Sequence, residues 1–326
     1  MRFLLDAEQL DFARSLDAML TAAETPSVVR EWGAGNPGPG RALWSRLAGA
    51  GVFALAAPEA YEGVGPLPVE LAVAFVELGR HAVPGPLVET VAATGLLARL
   101  AELGESGPAK RLLPGMVAGE CVASVLFPGR GPYALDADAA DAVLAVGGGE
   151  LRLAPGHGPV QPSIDPARRL SRPLPGGELI ATAPQLADAV AHATGWARLA
   201  AAAQCLGVAE TLLHRTVAYV KQRTQFGTPI GSFQAVKHRL ADTLVAVEFA
   251  RPLLYGAALS LAPRDVAAAK VTAGEAAYAA ARTALQLHGA VGYTDELDLS
   301  LWLRKARALR EAWGSPGECR AEVLAG

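Results

Sequence analysis

Arg223-Thr-Gln-Phe-Gly227 is the stretch around which the chain organises. On its N-terminal side, residues 184–221 hold almost nothing but helix formers, and many small propensities sum to one long helix. Gly227 and Pro229 then break the pattern. A second helix is expected from Ser232, whose hydroxyl would cap the run FQAVKHRLADTLVAVEFAR. Phe233, Val236, Leu240, Leu244 and Val247 recur at helical spacing and predict one apolar face. The local motif is helix, basic and aromatic turn, helix. Spacing alone leaves two readings, a helical hairpin with a solvated arginine or an anion site at the helix ends.

Further on, the pattern predicts a third long helix over residues 265–287, lined by Ala269, Ala273, Ala276, Ala277, Ala280 and Ala284. A stripe of small residues suits tight packing in a helical bundle. Pro252 removes one hydrogen bond from the preceding helix and predicts a kink or an earlier end. In QLHGAVG (286–292), Gly289 and Gly292 free the backbone at a helix C-terminus, and a fourth helix follows.

The N-terminal third also reads as helical. Phe3, Leu4, Leu10, Phe12 and Leu16 suggest an opening amphipathic helix, GAGNPGPG (33–40) a flexible break, and Leu43, Trp44 and Leu47 another helix. EGVG (62–65) is a weak phosphate signal, because no strand precedes it in a βαβ frame, and reads better as a turn between helices. Pro84, Pro86, Pro108 and Pro114 mark helix boundaries. From residue 119 to 182 the texture changes: VASVLF and AVLAV have strand length, and eight prolines rule out a long helix. Such a region holds about five or six short strands.

With 326 residues, 19% of them charged, and a net charge of -3, the chain is an ordinary globular protein. Acids and bases are mixed along it, so nucleic acid is not an expected partner. Asp6, Glu8 and Asp11 stand where a signal peptide would need an apolar core, and no apolar run is long enough for a bilayer, so a soluble, cytoplasmic protein is expected. Cys121, Cys205 and Cys319 are odd in number and far apart, which argues against disulfides. No metal site is expected, since there is no HExxH, no paired cysteine, and no histidine noted at helical spacing from another ligand type.

RTQFGTPIGSFQAVKHRLAD, followed about fifty residues later by QLHGAVGYTDE and an arginine-rich helix, resembles the acyl-CoA dehydrogenase family. LAAPEAYEGVG, FVELGR and PGPLVET resemble the family's N-terminal helical region, so the likeness covers nearly the whole chain. It implies a mainly α fold with a small β domain: a helical N-terminal domain (1–118), a truncated β domain (119–182) and a C-terminal four-helix bundle (183–326). It also implies FAD lying across a subunit interface. Arg223 matches the family arginine that meets the FAD pyrophosphate of the neighbouring subunit, Phe226 the aromatic near the adenosine part, and Gln225 a polar contact between them. A guanidinium suits a bidentate, charge-assisted bond to a pyrophosphate. Gln286, Gly289 and Ala290 match the family's QxxGG turn at the adenosine diphosphate end, with Ala290 in place of the second glycine. Arg198 matches an arginine near the acyl thioester in the substrate site.

The family's reaction removes the thioester α-proton with a carboxylate while the β-hydride passes to the flavin. Here both usual carboxylate positions are empty. Aligned from Arg304, Trp313 stands where a glutamate is expected, and Trp196 and Ala197 occupy the alternative position just before Arg198. The β region is also short and lacks the segments that hold the flavin ring. The chain therefore resembles the short subunit of two-subunit acyl-CoA dehydrogenases known from steroid side-chain degradation, pairing with a full-length dehydrogenase. Two alternatives remain: a self-sufficient dehydrogenase whose base is displaced to Glu311, Glu318, Asp295 or Glu296, and a flavin-free interaction subunit. Glu311 is two residues out of register, about 200° around a helix, and should face away from a base position.

Overall fold

The computed structural model describes residues 4–182 and 184–325. Asp6 opens the first helix by a reciprocal cap, its carboxylate accepting from the Gln9 amide and the Gln9 side chain accepting from Asp6 N. The helices α1 (Ala7–Ala22), α2 (Thr25–Gly33), α3 (Gly38–Gly49), α4 (Pro68–Arg80), α5 (Leu87–Glu102) and α6 (Ser106–Val117) come first. Six strands follow: β1 (Ala123–Leu126), β2 (Ala134–Leu135), β3 (Ala142–Gly147), β4 (Glu150–Leu153), β5 (Leu170–Ser171) and β6 (Glu178–Thr182). The chain continues through α7 (Leu186–Gln222), the hairpin β7 (Thr224–Gln225) and β8 (Thr228–Pro229), then α8 (Gln234–Ser260), α9 (Pro263–His288), α10 (Leu299–Glu311) and α11 (Pro316–Ala325). Thus the fold is mainly helical with a small β region. No helix among the described residues is long and apolar enough to cross a membrane.

Several sequence expectations need correction. Leu16 and Leu20 form the buried face of α1, while Leu4 and Leu10 are exposed; Phe3 lies outside the described residues. The 33–40 break is short, because Pro37 and the following Pro39 start α3 at Gly38. Pro114 lies inside α6 instead of ending it. Pro252 does not end α8, which continues to Ser260. Ser232 is not the α8 cap: its hydroxyl donates to Pro229 O in a 3-10 turn, and Phe233 takes the cap position with no side-chain bond. On α8, Phe233 and Leu244 are exposed, and the buried face lies further on at Val247, Ala250 and Leu254.

The chain forms two compact units. One contains Ser27–Leu71 and Pro84–Ala200. In it the mixed sheet has the order β1-β3-β4-β6, with β1 and β3 parallel and the other pairs antiparallel. The helix α5 covers β1, and Thr90 Oγ donates to Ala123 O across that contact at 2.8 Å. Trp44 stacks on Phe53 with ring centroids 4.3 Å apart, and Trp32 lies over Gly40, where a Cβ would approach the indole to 2.3 Å. Arg169 binds Asp138 and donates to Gly33 O, fastening the sheet's loops to the end of α2.

Asp136 is buried in the same unit, with its Oδ1 accepting from Arg169 N at 3.0 Å. Burial pushes its carboxyl up from 3.8 to about 7. In the unfolded chain this group loses its proton near 3.8, and in the folded chain only near 7, so folding binds a proton between those values. Its stabilising contribution is full below about pH 4 and falls as pH rises toward 7. Asp136→Asn keeps an acceptor for Arg169 N and removes the charge, so urea unfolding between pH 4 and 8 should show a smaller loss of stability with rising pH than in the parent.

The other unit contains the described residues up to Pro26, Ala72–Val83, and those from Ala201 on. Here α9 packs against α8, α10 and α11, and Ala269, Ala273, Ala276, Ala277, Ala280 and Ala284 are all buried, as their spacing predicts. The last turns of α4 cross α7 at backbone contact. A Cβ on Gly207 would sit 1.9 Å from Val76 O, and one on Gly79 2.3 Å from Gln204 O. Alanine is favoured over glycine in a helix by about 1 kcal/mol, but this overlap must outweigh that gain. Gly207→Ala should destabilise by roughly 2–4 kcal/mol in a denaturant titration, the opposite of the propensity effect.

Candidate functional site

The Arg223–Gly227 segment forms the turn at the end of α7. Arg223 N continues the helix ladder to Tyr219 O, Ile230 N donates to Arg223 O at 2.8 Å, and the two short strands close between them. Phe226 sits at φ 55° at the tip, followed by Gly227 at φ 78°. This left-handed pair turns the chain tightly and projects the Phe226 ring outward, where it is 93% exposed and meets Phe233 edge-on, with ring centroids 6.2 Å apart. The Arg223 guanidinium is also exposed and has no ion pair or side-chain hydrogen bond among the described residues. Gln225 is exposed beside it, its amide donating only to Thr224 O.

The 286–290 turn forms the end of α9. Gly289 adopts φ 63°, ψ -140°, a conformation essentially confined to glycine, and a Cβ there would meet no atom within 4 Å. Gln286 and Ala290 are exposed on either side of it. His288 is buried between them, its Nδ1 2.8 Å from Ala284 O, and burial holds its proton affinity below the ordinary value. Its ring stacks on Tyr219 at 4.1 Å and 22°. The Tyr219 hydroxyl donates to His288 O at 3.4 Å. Tyr219 stands one turn before Arg223, so this stack ties the end of α7 to the turn after α9. Sequence reasoning missed the brace, because its halves lie sixty-nine residues apart. Gly289→Ala should lower stability by about 1–3 kcal/mol through backbone strain alone, since the added methyl meets no neighbour; thermal unfolding measures it.

The remaining predicted residues are buried or committed elsewhere. Arg198 is 8% exposed on α7, in the unit that contains Pro84–Ala200, so it is not a surface cation. Trp196 and Ala197 beside it are buried, and Trp196 Nε1 lies 3.1 Å from His192 Nε2. Trp313 is half-buried at φ 61°, between α10 and α11. Lys270, 1% exposed, fixes this turn by donating to the carbonyl oxygens of Leu309, Arg310 and Gly314 at 3.0–3.3 Å. Among the nearby carboxylates, Glu311 accepts from Arg307 and Arg310, Asp295 from Arg304, and Glu318 from Ser315 N.

Glu77 and His81 stand four residues apart, a helical spacing that the sequence reading overlooked, and with Asp17 they place three ligand atoms within 4.8 Å of one another. A short His81–Asp17 contact and the Arg80–Glu77 ion pair account for the group. His81 Nε2 is 2.8 Å from Asp17 Oδ1, and Arg80 donates to Glu77 Oε1 at 3.0 Å. The guanidinium opposes a second cation there, and burial pushes the Glu77 carboxyl up to about 7.

Residues 6–120 match the model of the acyl-CoA dehydrogenase N-terminal domain, and residues 187–324 that of the C-terminal domain. Over 316 residues the chain is 35% identical to acyl-CoA dehydrogenase IpdE2 of Mycobacterium tuberculosis, covering 95% of each. The chain belongs to the acyl-CoA dehydrogenase family. Members of this family are oxidoreductases acting on CH-CH bonds. Another relative, FadE34 of Mycobacterium tuberculosis, is 32% identical over 89% of this chain but only 43% of its own length. Among solved structures, the ChsE4-ChsE5 complex from Mycobacterium tuberculosis superposes with a TM-score of 0.83 at 25% identity, covering 100% of this chain and 98% of the other. Butyryl-CoA dehydrogenase from Megasphaera elsdenii, at 22% identity, 100% and 99% coverage and a TM-score of 0.83, shares the fold. The family's FAD is consistent with the surface described here: an unpaired guanidinium for a pyrophosphate, an exposed aromatic ring, and a turn whose glycine leaves space for close approach.

Proposed function

We propose that this chain is the cofactor-clamping subunit of a two-chain, FAD-dependent acyl-CoA dehydrogenase that introduces an α,β double bond into an acyl-CoA thioester. The observation that carries the reading is an asymmetry. Phe226 is exposed and Arg223 has no ion pair among the described residues, while Trp313, and Trp196 with Ala197, fall at the positions expected for the family's catalytic carboxylates. The complete site belongs to a full-length dehydrogenase partner. Two relationships support pairing: the solved ChsE4-ChsE5 structure is a complex, and in FadE34 the segment like this chain is part of a much longer polypeptide.

FAD, when bound, would supply the acceptor for the β-hydride of the thioester. Arg223 would hold the pyrophosphate through charge-assisted hydrogen bonds, Gln225 would add a polar contact, and Phe226 would meet the adenosine. Gln286, Gly289 and Ala290 form the second wall, and the Tyr219–His288 stack fixes the two walls to each other. Arg198 belongs to the acyl-thioester side of the fold. The partner's carboxylate takes the α-proton, a contribution of about 10²- to 10⁴-fold in rate. A displaced base on this chain gains no support from Glu311, Glu318 or Asp295, each of which is held in a surface ion pair or a cap.

The test is co-expression with and without a full-length acyl-CoA dehydrogenase from the same genome, followed by a visible spectrum and FAD quantification. Yellow protein is expected only from the pair, with about one FAD per two chains. Loss of a charge-assisted bond is worth about 1.5–3 kcal/mol, so Arg223→Ala should weaken FAD binding by roughly 10- to 150-fold without dissociating the chains. Stoichiometric FAD on this chain alone, bleached by acyl-CoA, would overturn the reading, and a colourless but active pair would overturn the cofactor assignment.

A further inference from the structure

A cavity of about 730 Å³ opens within the unit that contains the C-terminal helices, between α1, the end of α4, the middle of α7, α8 and α10. It shares no residue with the Arg223 hairpin or the Gln286 turn. Its volume lies in the range of small-molecule sites. Leu20, Leu213, Val217, Val247 and Trp302 give it an apolar lining. Charged groups of both signs also face it, and most of them pair. Arg80 Nε bonds Glu210 at 2.6 Å, and Arg251 bonds Glu210 at 2.9 Å and Glu248 at 3.1 Å. Asp17 bonds His81. Glu24 is exposed.

Arg215 is the exception. Its guanidinium lies 4.1 Å from the centroid of the buried Trp302 ring, and the side chain is partly buried. Among the described residues it makes neither a hydrogen bond nor an ion pair. The charge of Asp298 reaches it only through space, and burial still lowers its proton affinity. The geometry is that of a prepared site. The Trp302 face holds the guanidinium, Trp302 Nε1 itself donates to Arg80 O at 2.9 Å, and the five N–H donors find no acceptor among the described residues.

We propose that this cavity binds a small organic anion, with Arg215 gripping its carboxylate or phosphate and the apolar lining taking its hydrocarbon body. A planar fork with unused donors suits an oxyanion head better than a neutral one. The apolar walls select against inorganic anions, which would leave most of the cavity unfilled. The site is independent of the FAD reading, because Arg215 belongs to neither wall of the clamp.

Isothermal titration of the purified chain with decanoate, decyl phosphate and decanol tests the proposal, with Trp302 fluorescence as a second readout. Either anion should bind saturably at one site, at least tenfold more tightly than decanol, and should change a fluorescence signal that Trp302→Phe removes. The better of the two anions identifies the head group. Arg215→Gln should weaken anion binding about tenfold or more, toward the affinity of decanol. Exposed Arg14→Gln serves as the control and should change nothing. Val217→Trp places an indole in the cavity and leaves the charge in place, so it should weaken anion binding about tenfold or more even if Arg215→Gln unfolds; circular dichroism checks the fold of each variant. Absence of saturable anion binding would overturn the proposal, as would anion affinity unchanged in a folded Arg215→Gln or Val217→Trp protein. FAD content of the assembled pair should stay the same in Arg215→Gln, which separates this result from the fate of the clamp.

Discussion

The crossing of α4 and α7 governs the unit built around the C-terminal helices. With only hydrogen at Gly79 and Gly207, the two backbones touch, and no packing of larger side chains could bring them as close. That approach places the Arg80 carbonyl where Thr211 on α7 and Trp302 on α10 both donate to it at 2.9 Å. It also brings the Arg80 side chain into the chain of ion pairs that runs through Glu210 to Arg251 on α8. One close contact thus sets the positions of four helices. The cavity beneath Arg215 is the space left where they diverge.

The unit combines a committed interior with uncommitted ends. Lys270 illustrates the first: a buried ammonium is costly unless its donors are used, and here three carbonyl oxygens use them. The turn that carries Trp313 is consolidated by that lysine and by the Ser315–Glu318 cap. Arg223 and Phe226 illustrate the second. A nearly fully exposed phenylalanine beside an arginine with no ion pair among the described residues adds little to the fold, and exposed aromatic and arginine side chains suit a binding surface. The exposed apolar residues of α8, among them Phe249 and Leu253, continue the same outward-facing character.

Much of this was legible in the residues. The helix formers of 184–221 became α7, the alanine stripe became the buried face of α9, and the prolines between 119 and 182 confined that region to six short strands. These succeeded because propensity and periodicity are local quantities summed over many residues. Single-residue readings fared worse. Ser232 bonded to its own turn instead of capping α8, and Pro252 and Pro114 were absorbed within helices, because packing elsewhere outweighed one cap or one lost hydrogen bond. The apolar face assigned to α8 was half wrong for a related reason: spacing shows that a face exists but does not say whether this chain or another covers it.

By itself, the sequence determined the class of fold, the family, and the two motifs at the ends of α7 and α9, since each depends on residue identity within a few turns of chain. Only the tertiary structure decided that those motifs are braced by Tyr219 on His288, that Arg198 is buried, and that His81 meets Asp17 while Glu77 pairs with Arg80. It alone also showed that Arg215 lies on Trp302 with no ion pair among the described residues. The physical reason is common to all of these. Stacking, burial and charge pairing act through space over a few ångströms, between residues that the chain places tens to hundreds of positions apart.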